Sequence, residues 1–286
     1  VKAAGDKTLT INADRSIKLV QRSIDGSTTS GKLDVALNPF QSSAHGNSGG
    51  AVILQGSDSV VASIRSNGGS ISLGSASQAA TGFGADLSGI KDGIYLENAV
   101  LDSQVAGSGG AAITLVGSAP TTTTAGAGVR IKGALTNLRS GSGDLTITGT
   151  VSGGASSGQK DGVVIGEDGS SRVTLATTSG AIAITGDATG VGTSPSVTGA
   201  SRYDGVVISS AALVQTDSGN ITIVGKGSGG DQSYLVENHG IKLENAKTSI
   251  VSTSGNISLY GSSGGKTSDS GGANSFGIYS AGDSMY

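Results

Sequence analysis

The sequence predicts an all-β chain wound as a right-handed parallel β-helix, a solenoid of three-strand rungs about twenty residues long. Three observations lead there. Strand-leading glycines recur at Gly50, Gly93, Gly128, Gly162, Gly205, Gly240 and Gly277, at intervals of 43, 35, 34, 43, 35 and 37 residues. Within each interval, short apolar/polar alternations point every second side chain to one face, as in a half-buried strand. The composition, with 50 Gly but only 3 Pro, no Trp and 3% aromatics, suits a chain that turns often and stacks small side chains at its corners. Strands carrying two or three apolar residues each cannot close a core alone, so copies must stack above and below them.

Taken in order, residues 1–49 form irregular first rungs. Leu-Thr-Ile at 9–11, Ile-Lys-Leu at 17–19 and Leu-Asp-Val-Ala-Leu at 33–37 read as strands between Asn/Asp and Gly/Ser/Thr turns. Residues 50–276 hold six repeats, and 277–286 a partial rung. Each repeat opens with a first strand such as Ile-Lys-Leu after Gly240 or Val-Val-Ile after Gly162 and Gly205. Shorter second strands follow at 60–64, 173–175, 213–214 and 249–251. Third strands keep their own register at 69–73, 111–115, 143–147, 180–184, 219–223 and 255–259. The heptapeptide Gly-Ile-x-Leu-Glu-Asn-Ala occurs twice, beginning at Gly93 and Gly240, as a shared unit would produce. Gly/Ser/Thr/Asp-rich loops at 75–91, 118–127, 150–161, 187–204, 226–239 and 262–276 absorb the variation in interval, which places them on one side of the solenoid. Neighbouring rungs about 4.8 Å apart give a rod about 30–40 Å long. The whole chain is thus expected to be one solenoid segment, part of a longer chain.

Charge and composition exclude several classes. Lys and Arg number 18 against 21 Asp and Glu, a net charge of −3, and no basic block is interleaved with aromatics, so there is no nucleic-acid footprint. Cysteine is absent, which excludes disulfides and thiolate metal sites. No apolar run approaches the roughly 18 residues of a membrane helix.

Several motifs tempt and are outweighed. Gly-Asn-Ser-Gly-Gly around Ser48 fits G-x-S-x-G, but His45 is three residues away and no positioned base with an orienting partner is in sight. Gly225 to Gly230 fits G-x-G-x-x-G, yet Asp231 opens no helix to hold a pyrophosphate. The run from Gly261 to Lys266 and Thr267 carries Tyr260 where a phosphate loop needs its first glycine. Asn220 and Asn256 sit in glycosylation sequons but lead third strands, where a corner Asn bonding to the next rung is the simpler role. Asp161, Asp204, Asp231 and Asp283 lie near loop ends; adventitious calcium there stays open, although no Gly-Gly-x-Gly-x-Asp repeat builds a site. His45 and His239 are about five intervals apart and are not expected to share a metal. Lys160/Asp161 and Arg202/Asp204 straddle loop ends without an evident partner pairing. No catalytic, cofactor or metal residue is assigned.

The rung formula, with Gly-Lys-Leu-Asp-Val-Ala-Leu-Asn from Gly31, Gly-Gly-Ala-Val-Ile-Leu from Gly49 and Ser-Asn-Gly-Gly-Ser-Ile-Ser-Leu-Gly from Ser66, resembles the filamentous haemagglutinin-type large exoproteins of Gram-negative bacteria. That resemblance implies export through an outer-membrane partner transporter and display at the cell surface as a β-helical fibre or adhesin. The family's secretion domain is not recognisable in these residues. The expected function is a non-enzymatic extracellular fibre or adhesin segment whose loops contact a host or neighbouring-cell surface, a glycan or matrix. A self-assembling filament or sheath subunit, associating end to end or laterally, is one alternative. A polysaccharide-acting β-helix enzyme is the other, and it would need carboxylates clustered in a groove.

Overall fold

The computed structural model describes residues 5–27, 31–39, 50–75, 79–81, 90–105, 109–119, 125–152, 159–167, 172–190, 201–228, 235–245, 247–264 and 275–281. Every strand of the three large sheets pairs parallel with its neighbours, and no helix occurs among these residues. The first sheet stacks Ile17–Val20, Val52–Gln55, Ile94–Glu97, Gly126–Lys132, Lys160–Ile165, Val206–Ile208, Ile241–Glu244 and Ile278–Ala281 in chain order. The second stacks Ser23–Asp25, Ala62–Arg65, Ala99–Asp102, Asn137–Gly141, Thr174–Thr177, Leu213–Thr216 and Ser249–Ser252. The third stacks Lys7–Ala13, Leu33–Pro39, Ile71–Leu73, Ile113–Ala119, Leu145–Ser152, Ile182–Gly190, Ile221–Lys226 and Ile257–Ser262, with the short strand Ala80–Thr81 beside Ile113–Ala119. The chain is therefore a β-solenoid, each turn passing once through every sheet. The early strands at 9–11 and 33–37 join the third sheet and that at 17–19 the first.

Register matches like with like. In the third sheet Ile71, Ile113, Leu145, Ile182, Ile221 and Ile257 form one column, and Leu73, Leu115, Ile147, Ile184, Ile223 and Leu259 the next. A slip of one residue would turn every aliphatic side chain outward, so the apolar pattern pins the register. These columns and their counterparts on the other two sheets merge into one aliphatic core running along the rod. Toward either end of the described stack, Leu9, Ile11 and Leu19, and likewise Ile250 and Leu259, are only half-buried, having a paired strand on one side; Leu243, whose register partner in the last strand is Ser280, is half-buried too.

Two features sharpen the expected grammar. The third strands do not stop where the predicted loops begin. They continue through a glycine, as in Ile113–Ala119, Leu145–Ser152 and Ile182–Gly190. That glycine is imposed by close backbone approach: a Cβ on Gly186 would sit 1.9 Å from the Gly205 carbonyl oxygen, and one on Gly225 1.9 Å from that of Gly240. The strand-leading glycine and the glycine closing the preceding third strand are thus a contact pair, repeated rung after rung. Second, the repeated Glu-Asn-Ala marks the turn between the first and second strands. Asn98 and Asn245 there have φ of 47° and 70°, left-handed values that Asn tolerates better than most residues. Asn98 also fixes this turn to the next rung, its Oδ1 accepting the Leu135 N–H at 3.1 Å.

Candidate functional site

The first sheet is where the chemistry collects. Its inward side chains, such as Val163 and Ile165, join the core, but its outward column is out of solvent too. That column reads Ile53, Tyr95, Arg130, Val164, Val207 and Lys242 in register. The residue before each strand-leading glycine lies at the corner where third strands give way to first strands. Asp92, Ala127, Asp161, Asp204, His239 and Phe276 occupy this position.

At that corner, side chains add a second set of rung-to-rung bonds to those of the backbone, in which the Gly162 and Gly205 N–H groups reach the Asp204 and His239 carbonyls. Asp92 Oδ1 accepts the Ala127 N–H at 2.6 Å, and Asp161 Oδ1 the Asp204 N–H at 2.9 Å. Asp204 Oδ1 accepts the His239 N–H at 2.7 Å, and His239 Nδ1 the Phe276 N–H at 3.1 Å. The His239 ring then stacks on Tyr279, with centroids 4.6 Å apart, and on Phe276 at 5.7 Å. Asp161 and Asp204, which showed no evident pairing in the sequence, are consecutive members of this ladder. The sequence hides this because 43 residues separate them and only the parallel register closes the gap.

Two ionic clusters grow from the ladder. In the first, Arg130 Nε lies 3.0 Å from Asp92 Oδ1 and Nη1 lies 2.5 Å from Glu167 Oε1. Burial raises the Asp92 pKa against the pull of Arg130; burial also opposes the Arg130 charge, but the two carboxylates more than offset it. Alongside, Lys132 Nζ is 3.4 Å from Glu97 Oε1 and 5.6 Å from the centre of the Tyr95 ring. Glu97 also accepts a 2.9 Å bond from Gln55 Nε2, and these partners hold its pKa down despite its burial.

In the second cluster, Arg202 Nε is 3.3 Å from Asp204 Oδ2, and its Nη1 is 3.6 Å from Glu244 Oε1. Lys242 Nζ approaches Glu244 Oε2 at 2.9 Å. Neither Asp161 nor Asp204 is exposed. Burial pushes Asp161 up to about 6, with Arg202 pulling the other way. Burial and the neighbouring Asp161 carboxylate push Asp204 up to about 7. The Asp161 Oδ2 and Asp204 Oδ2 atoms are buried without a hydrogen bond. Two neighbouring carboxyl groups in that state keep their protons to higher pH than exposed aspartates do.

Between the first cluster and the loop corner lies an open cleft of about 280 Å³. Tyr95 and Arg130 line it together with Lys91, Lys132, Gln159 and Glu167.

The remaining motifs sort plainly. Asn220 Oδ1 accepts the Asn256 N–H at 2.8 Å, the corner role expected for it. Gly225 lies inside Ile221–Lys226 against Gly240, a packing glycine. Ser48, His45, Gly230, Asp231, Lys266, Thr267 and Asp283 lie outside the described residues. Among the described residues, no three His, Asp or Glu side chains gather to hold a metal ion. Sequence reasoning missed Asp92, Arg130 and Glu167, although a signal was present: Asp precedes the strand-leading glycine at 92, 161 and 204.

No family model matches the chain, and neither a curated protein nor a solved structure matches it.

Proposed function

We propose that the chain is a non-enzymatic segment of an extracellular surface fibre or adhesin, a rigid carrier for loops that attach to a neighbouring surface. One observation carries the reading. Third strands end at Ala119, Ser152, Gly190, Lys226 and Ser262, and first strands begin at Gly126, Lys160, Val206, Ile241 and Ile278, so successive long connections leave from one corner of the rod. A repetitive scaffold whose longest connections gather along one side is suited to recognition, with the sheets free to set length and stiffness. The likeness of the rung formula to filamentous haemagglutinin-type exoproteins supports display at a bacterial surface. The test is binding of the full chain to cell surfaces, matrix and a glycan panel, with product analysis in the same samples. Binding without turnover is expected; absence of binding to any of them would remove the reading.

A second reading has one observation behind it. Asp161 and Asp204 are neighbouring carboxyl groups with raised pKa values, and a polysaccharide-acting enzyme would use one as acid and the other, ionised, as base or nucleophile. Against it, both side chains are sealed from solvent, so a sugar would first have to open the rung. Glycan turnover that vanishes in Asp204→Asn would establish this enzyme in place of the scaffold.

A further inference from the structure

We infer that the cleft over Tyr95 and Arg130 is a glycan-binding subsite that selects for a negatively charged sugar. This rests on the surface-attachment reading and adds the chemical class of the ligand. The cleft is not walled by a uniform charge; what decides is which of its polar groups are already used. Each acidic member is tied to Arg130 through one oxygen: Asp92 Oδ1 accepts from both the Ala127 N–H and Arg130 Nε, and Glu167 Oε1 is held by Arg130 Nη1. Glu97, just beside the cleft, is engaged by Gln55 and Lys132.

The donors are not all spent. Arg130 uses Nε and Nη1 on those carboxylates, and no bond is formed by its Nη2. Lys91 and the Gln159 side chain line the same cleft, and among the described residues neither makes a side-chain hydrogen bond or ion pair. An anchored guanidinium, an ammonium and an amide therefore line the same space, the last two without acceptor partners among the described residues. A guanidinium so anchored has its orientation fixed before a ligand arrives, which lowers the ordering cost of binding. The complement is an acceptor-rich anion, a carboxylate or sulfate ester. The volume of about 280 Å³ holds about one sugar ring of a longer chain. Tyr95 is nearly buried, so it braces Lys132 more than it offers a stacking surface.

The geometry also explains why sequence inspection found no charged groove. Lys91 and Asp92 arrive from one turn, Arg130 from the next and Gln159 and Glu167 from a third. Each appears alone along the chain, and only the parallel stacking collects them.

Calorimetric titration of the full chain tests this with a hexuronate-containing tetrasaccharide, its carboxyl-reduced form, and a sulfated neutral tetrasaccharide. The expected result is binding of at least one anionic form and at least tenfold weaker binding of the carboxyl-reduced one. Uronate binding alone identifies the carboxylate as the source of the anion, and sulfated-form binding alone identifies the sulfate ester. Lys91→Gln, at a half-exposed rim, leaves the fold intact and should weaken anionic binding several-fold; Arg130→Gln should weaken it further. Equal affinity for charged and uncharged forms, no binding of any form, or indifference to Lys91→Gln would overturn the subsite. If the chain still attaches to surfaces in those cases, the attachment reading survives without this cleft.

Discussion

Over the central turns both faces of the first sheet are largely withdrawn from water, yet they are built from different chemistry. The inward face carries Val or Ile at 52, 94, 129, 163, 206 and 241, without interruption. The outward face, one residue along the same strands, runs from Ile53 through Tyr95 and Arg130 to Val164, Val207 and Lys242. The inward column lies in an interior shared by every rung, where a polar group has no partner and costs its full desolvation. The outward column meets side chains at both ends of the strands, which supply partners: Asp92 from the corner and Glu167 from beyond a strand end for Arg130, and Glu244 at a strand end for Lys242. Burial alone therefore does not fix side-chain chemistry. The availability of a partner does.

A pair of adjacent substitutions breaks this comparison most sharply. Val206→Lys would drive an ammonium into the aliphatic interior between Val163 and Ile241, and should cost more than about 4 kcal/mol, enough to prevent folding. Val207→Lys places the same group between Val164 and Lys242, in reach of the side of the sheet that already houses a lysine. It should remain folded with a loss of about 1–2 kcal/mol. Denaturant unfolding measures both. Equal losses would mean that the two faces do not differ in the way described.

Legibility in the sequence follows the same division. The inward face was readable because its chemistry is identical in every turn, and periodicity is what sequence reveals. Gly162-Val-Val-Ile and Gly205-Val-Val-Ile also signalled something more: an unbroken apolar run, in place of alternation, marks a parallel strand buried on both faces. The corner ladder was half legible, since Asp recurs before the glycine, but its bonds span 35 to 43 residues and depend on register. The third-strand ends were misread as loop because Thr-Gly-Thr and Thr-Gly-Asp look like turn residues. In the fold that glycine is demanded by the passing strand of the next turn. The Arg130 cluster was illegible, each of its members occurring once in a different turn.

The acidic ladder gives the next largest effect. Asp161 and Asp204 have folded-state values of about 6 and about 7 against an ordinary 3.8. A carboxyl group raised in this way binds its proton more tightly folded than unfolded. Its stabilising contribution is full below about pH 4 and is lost as pH rises through 6 to 7. Two units at Asp161 correspond to about 3 kcal/mol, at 1.36 kcal/mol each. Asp204→Asn removes one charge while its amide oxygen can still accept the His239 N–H. Relative to the unmodified chain, the variant should gain most stability at pH 7.5 and progressively less as pH falls toward about 4. Glu97 and Asp187, whose values are lowered, act in the opposite sense, so the difference between the two proteins is the readout. A gain independent of pH would sink the assignment.

The Arg130 cluster predicts a smaller and more conditional effect. Arg130→Met leaves the Asp92 carboxylate buried without its cation, and should cost about 2–3 kcal/mol. Adding Asp92→Asn removes the stranded charge and retains an acceptor for the Ala127 N–H, so most of that loss should return. A double-mutant cycle by denaturant unfolding would show coupling of more than about 1 kcal/mol. Simple additivity would mean that the guanidinium and the carboxylate are solvated separately, contrary to their burial.

The smallest effect lies on the outer surface of the third sheet. Tyr260 belongs to the strand Ile257–Ser262 and is 61% exposed, pairing in register with Val224 of the preceding turn. Its ring lies where an outward side chain finds water and needs no partner, so Tyr260→Ser should change stability by no more than about 0.5 kcal/mol. The same exchange at the outward position of the first sheet, Tyr95→Ser, would remove a buried ring beneath Lys132 and should cost several times as much. Comparing the two by thermal unfolding separates a sheet with one wet face from a sheet with none. If both substitutions were equally mild, the outward face of the first sheet would be open to water in solution, and its ionic clusters would contribute only as surface pairs do.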